Sequence, residues 1–162
     1  MRRTFLIPVI ALLLGPAQAQ TASLGASDDE VLLRVSATGV QVYECRSAMG
    51  ASPTWAFNEP RADLFSAGRP VGRHFAGPTW EHTDGSRIVG KVVANAPAAR
   101  PEDIPWLRLI ATSQAGEGAF SRVTVVQRID TKGGVLAGAC PSLGAVSEVP
   151  YTADYVMIRA AP

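Results

Sequence analysis

Both histidines of the chain, a tryptophan, a glutamate and an aspartate fall within one stretch of thirteen residues, HFAGPTWEHTDGS, His74 to Ser86. An imidazole oriented by a carboxylate is the basic equipment of general acid–base catalysis, so His74, Glu81 and Asp84 form the candidate catalytic set. Such a set also needs a nucleophile or an activated water. Ser86, Thr79 and Ser113 offer hydroxyls, but none sits in a nucleophile elbow or another recognisable setting. Glu81 and Asp84 could be nominated as a glycosidase pair, yet their spacing across a turn does not establish the separation that reaction requires. Metal binding would draw on His74, Glu81, His82 and Asp84. Their spacing is irregular, and an extended Trp80-Glu81-His82 sends Glu81 to the face opposite His82. Neither a metal nor a cofactor is expected.

The same stretch also has a plainer architectural reading. Gly77-Pro78 forces a change of direction, and Asp84-Gly85-Ser86 has the chemistry of a hairpin turn, with Gly85 free to take positive φ. Trp80 beside Pro78 is expected to fill core volume with its N–H bonded to a carbonyl. Outside the stretch, Trp55 and Phe57 share a strand face and either enter the core, the favoured outcome, or form a stacking platform for a ligand. Arg128 falls on the polar face of a strand, where Asp130 or Glu44 could pair with it. Tyr151 and Tyr155 flank Asp154, and their hydroxyls either line a pocket or cap the sheet. The candidate binding residues are therefore Trp55, Trp80, Arg128, Tyr151 and Tyr155.

The elements that must position these groups are strands. Val31, Leu33 and Val35 alternate with Leu32, Arg34 and Ser36, and Val40 and Val42 alternate with Gln41 and Tyr43. Val123, Val125 and Ile129 share one face, with Arg122, Thr124 and Arg128 on the other. Ile88 to Val93 and Trp106 to Thr112 are more evenly apolar, as in strands covered on both faces. Thr38-Gly39, Asp84-Gly85, Glu117-Gly118 and Gly133-Gly134 read as turns, and Ala94 to Asp103 as an exposed connection. With 15 glycines and 12 prolines, no segment carries a sustained helical pattern. The expected fold is all-β, an antiparallel β-sandwich or a partly closed β-barrel.

Arg2-Arg3, the apolar run Phe5 to Leu14 and Ala17-Gln18-Ala19 have the make-up of a secretory signal peptide over residues 1–19. Arg2 to Leu6 also fits a loose twin-arginine pattern, so the export route stays open. A flexible lead-in at 20–29 and a single β-domain at 30–162 would follow, in a periplasmic or secreted protein with no membrane span. Loss of Arg2 and Arg3 leaves thirteen basic against fourteen acidic residues, a net charge of −1. Without a basic stripe, nucleic acid is not an expected partner. Cys45 and Cys140, the only cysteines, are expected to form a disulfide in an oxidising compartment.

Several segments together, Gly39 to Cys45, His74 to Ser86, Ile104-Pro105-Trp106-Leu107, Gln127 to Gly134 and Val149 to Tyr155, resemble the domain-of-unknown-function family numbered 3455. The resemblance runs from about Glu30 to Ile158. It implies an exported, β-rich, single-domain protein with no established activity. His74, Gly77, Pro78, Thr79, Trp80, Glu81, Asp84, Gly85 and Ser86 match the family pattern; His82 does not, which argues against a mechanism needing both histidines. The functional expectation is a non-catalytic module that binds a small ligand, a glycan or a protein. The alternative is a hydrolase or metal-dependent enzyme centred on His74, Glu81 and Asp84.

Overall fold

A computed structural model describes residues 29–161. The expected signal peptide and all of the expected lead-in but Asp29 lie outside the described residues. Asp29 is held in place: its Oδ2 accepts a hydrogen bond from Arg108 Nη2 at 3.0 Å.

Eight strands follow one another: β1 (Glu30–Arg46), β2 (Thr54–Ser66), β3 (Arg69–Phe75), β4 (Thr79–His82), β5 (Arg87–Ala96), β6 (Trp106–Ala115), β7 (Val125–Gly133) and β8 (Val146–Arg159). Each pairs antiparallel with the next, and β1 closes the ring against β8 from Glu30↔Arg159 to Glu44↔Val146. The fold is thus all-β and a closed barrel rather than a sandwich. Closure removes sheet edges, whose unpaired amides would otherwise template association. Among the described residues no helix is long and apolar enough to cross a membrane.

Several sequence signals meant something other than expected. Thr38-Gly39 is not a turn: β1 runs straight through it, and Gly39 pairs with Ala62 of β2. A side chain at Gly39 would collide with the Arg61 carbonyl and Ala62, so glycine serves there for a close strand approach. The apolar runs of β5 and β6 are not covered on both faces, since Val93 and Ile110 are exposed. In a barrel the inner face is core, and these residues lie outside the main core cluster.

That interior holds Val35, Leu64, Trp80, Ile88, Leu109 and Met157, among others. The β7 pattern came out inverted. Val126 belongs to the interior, whereas Val125 packs a separate cluster with Val156 and Ile158, with Ile129 against it. Two residues beyond Val126 on the same strand, Arg128 therefore shares the interior face. The 97–105 connection is not uniformly exposed either. Ile104 enters the core, and Asp103 accepts hydrogen bonds from Gly133 N at 2.6 Å and from Arg100.

In an up-and-down ring, alternate connections share one end. The turn at residues 83–86 and the loop at 116–124 meet at the same end. There Asp84 accepts hydrogen bonds from Ser86 N (2.8 Å), Ser86 Oγ (2.6 Å) and Ala119 N (2.8 Å), while Phe120 N donates to Ser86 Oγ at 3.0 Å. Phe120 and Val123 are fully buried beneath them. At the opposite end, Cys45 of β1 and Cys140 of the β7–β8 connection form a disulfide with Cα atoms 5.7 Å apart.

Candidate functional site

Gly77, at φ +132°, turns the chain from β3 into β4 at the disulfide-bearing end of the barrel. The turn sets His74 opposite Trp80 in the β3–β4 register. Their rings stack with centroids 4.5 Å apart and planes 15° from parallel. Tyr155 of β8 meets both edge-on, at 5.0 Å from His74 and 5.4 Å from Trp80. Gly90 of β5 makes this cluster possible, because a Cβ there would come within 2.9 Å of the Trp80 ring.

The three rings form part of the wall of a cavity of about 330 Å³, at the lower end of the range for small-molecule sites. Leu107, Leu109 and Val92 add apolar surface, Phe57 and Pro78 also line it, and Arg128 is its one ionised residue. Among its described lining residues there is no carboxylate, serine, threonine or cysteine. A more open depression of about 450 Å³ lies over Thr38, Arg61, Asp63 and Arg73; its long cationic side chains are solvated, with Arg61 and Arg73 about half or more exposed.

The electrostatics of the cavity wall are specific. His74 is 3% exposed, and its Nδ1 lies 2.9 Å from the Thr79 carbonyl oxygen. A carbonyl only accepts, so Nδ1 carries the proton and the lone pair is on Nε2. Burial, opposed by that hydrogen bond and helped by the nearby Arg128 charge, pulls the imidazole down to about 3. It is neutral at physiological pH. Tyr155 is raised, first by burial, although Arg128 and Tyr151 act in the opposite direction. Tyr151, an electrostatic neighbour of both Tyr155 and Gln41, is also raised by burial. Yet the Tyr155 and Tyr151 hydroxyls, Gln41 Nε2 and Trp80 Nε1 are all buried without a hydrogen-bond partner of normal geometry. Trp80 fills core volume as expected, but its N–H does not reach the expected carbonyl.

Arg128 pairs with neither Asp130 nor Glu44. Its Nε and Nη2 both donate to the Pro105 carbonyl, at 3.0 and 2.8 Å, and Glu44 is taken by Arg46 at 2.7 Å. The inverted β7 pattern is the reason. Trp55 is half-buried opposite Cys45, away from the cavity lining, while Phe57 is 51% exposed at the rim rather than in the core. Phe57 meets Tyr43 edge-on at 5.9 Å.

The residues of the candidate catalytic set do not converge. Glu81 pairs with Arg73 at 2.8 Å, Asp84 holds the turn at the far end, and His74 lies inside. The Ser86 hydroxyl, chief among the donors to Asp84, keeps that carboxyl well below its ordinary range. His82 Nδ1 lies 3.0 Å from Asp84 Oδ2, and its ring meets Phe120 edge-on. Trp80 and His82 thus share a face opposite Glu81, as the strand alternation requires. Thr79 donates its hydroxyl to the Ala76 carbonyl at 2.8 Å. Among the described residues, no three His, Cys, Asp or Glu side chains gather as a metal-binding group.

Fold and cavity together define a closed eight-stranded β-barrel with a filled interior and one concave, mostly apolar recess at its disulfide-bearing end. The chain belongs to the family described as "Protein of unknown function (DUF3455)", whose model matches residues 26–69 and 66–159. No curated protein matches it, and no solved structure does.

Proposed function

We propose that this protein is an exported, non-catalytic binding barrel whose mouth takes up a small, largely apolar molecule. The observation that carries this reading is the recess itself. It is preformed and walled by Trp80, Tyr155, Leu107 and Leu109. Few polar groups in an apolar concavity is the usual composition of a small-ligand site. A glycan fits less well, because the rings present buried, mutually packed faces rather than an exposed platform. No observation favours the hydrolase or metal-dependent alternative. An imidazole near 3 is a weak base at neutral pH, and the recess holds no nucleophile to serve. The disulfide supports export, since such bonds persist in oxidising compartments.

A neutral fluorescent probe, N-phenyl-1-naphthylamine, tests the reading. Saturable one-site binding is expected for the native protein, weakened at least tenfold by Leu107→Trp, which fills the recess from β6. Non-saturable uptake, or equal binding by a correctly folded Leu107→Trp variant, would show that the recess is not a binding site.

A further inference from the structure

The recess is mostly apolar, and its described lining carries a single formal charge. Arg128 is its one ionised residue, and no carboxylate among the described residues pairs with it. The two hydrogen bonds from Nε and Nη2 to the Pro105 carbonyl fix the guanidinium plane. A guanidinium held this way has lost its rotamer freedom in advance, and it presents planar N–H donors next to apolar surface. Tyr155, whose hydroxyl interacts with both Arg128 and Tyr151, is 1% exposed and lines the same recess. A neutral imidazole, His74, lies on the same wall and adds no second positive charge.

We propose that the natural ligand of the recess is a small carboxylate with an aromatic or compact aliphatic body: Arg128 holds the carboxylate, and Trp80, Tyr155, Leu107 and Leu109 cover the body. This rests on the binding reading above and narrows it. A cationic ligand would face Arg128 directly, and a wholly neutral one would bring apolar surface against a charge without neutralising it. A phosphate-sized dianion would call for more cationic groups than one arginine, and no lysine lines the recess. One planar monoanion matches one guanidinium edge.

Calorimetric titration of the full, disulfide-bonded protein with 2-naphthoate and with 2-naphthamide tests the proposal, since the two differ little except in charge. Naphthoate is expected to bind at least tenfold more tightly, with an advantage that shrinks as salt is raised. Arg128→Gln should weaken naphthoate by about 10- to 100-fold, as for loss of a charge-assisted hydrogen bond, and leave naphthamide within about twofold. Arg128→Lys should fall between. If both compounds bind the native protein equally, or Arg128→Gln weakens both alike, the carboxylate proposal fails while the binding reading stands. If neither binds, the carboxylate proposal fails, and the binding reading is decided by N-phenyl-1-naphthylamine alone. The native comparison does not depend on how well any variant folds.

Discussion

At the end of the barrel that carries the Asp84 turn, Phe120 and Val123 fill the interior, and Asp84 and Ser86 fasten their loop by its backbone amides. At the other end the rings of His74, Trp80 and Tyr155 leave a recess of about 330 Å³, and the connections are tied by a covalent bond between Cys45 and Cys140. One end is sealed by side-chain packing. The other gives up packing, and with it the dispersion and burial that a plug would contribute. The contrast suggests that the disulfide compensates for the open end: it restrains the strand ends that a packed core would have held.

The largest expected effect tests that division directly. The disulfide closes a loop of 95 residues in sequence separation, which in chain-entropy terms stabilises the fold by about 4 to 5 kcal/mol. Replacing both cysteines with alanine should lower the urea midpoint accordingly, and hydrogen exchange should rise first near β1–β2 and β7–β8 at the mouth, with the Phe120 loop protected longer. Simultaneous loss of protection at both ends would mean that the disulfide restrains the whole barrel and not its mouth.

Next in size is a pair of phenylalanines. Phe120→Ala removes a fully buried ring from the sealed end and should cost about 3 to 5 kcal/mol, the range for emptying a core aromatic site. Phe57→Ala, at the exposed rim of the mouth, should change stability by less than about 0.5 kcal/mol while weakening N-phenyl-1-naphthylamine binding. Urea denaturation of the two variants side by side measures the difference. Similar losses would show that the mouth is as much a part of the core as the plug.

How far this was legible in the sequence differs between the two ends. Asp84-Gly85-Ser86 announced the turn because its signal is local: a residue that tolerates positive φ beside one that needs it. The hold of Asp84 on Ala119, 35 residues away, was not legible, since nothing in the turn names its partner. The recess was harder still. Trp80, Tyr155 and Arg128 stood among the candidates, but for separate reasons, and only ring closure of β1 on β8 brings Tyr155 beside a histidine on β3. The sandwich and barrel alternatives could not be separated because period-two alternation is common to both. Period-two alternation puts Arg128 on a polar face whenever Val125 and Ile129 are read as the core side. In a barrel with a second apolar cluster outside the ring, alternation shows that two faces differ without showing which one is inside.

The smallest effect follows the protonation of His74. Its folded pKa, about 3, lies below the unfolded value of 6.5. The folded state therefore favours the neutral ring, and the unfolded state binds the extra proton first as pH falls. Stability should be fully present above about pH 6.5 and decline toward pH 3, with this residue contributing a slope of up to about 1.4 kcal/mol per pH unit. Asp84 and Asp103, both lowered by hydrogen bonds from their neighbours, add their own loss only as pH falls through the carboxylate range, while Asp154, raised first by burial, works in the opposite direction; the difference between the native protein and a variant lacking the imidazole isolates the histidine. His74→Asn keeps an N–H near the Thr79 carbonyl but cannot titrate. Its urea midpoint should fall less steeply than that of the native protein from about pH 6.5 to 5. Parallel slopes in the two proteins would mean that the ring can take up a proton without leaving the wall of the recess, and that the mouth is wetter and less rigid than its ring packing implies.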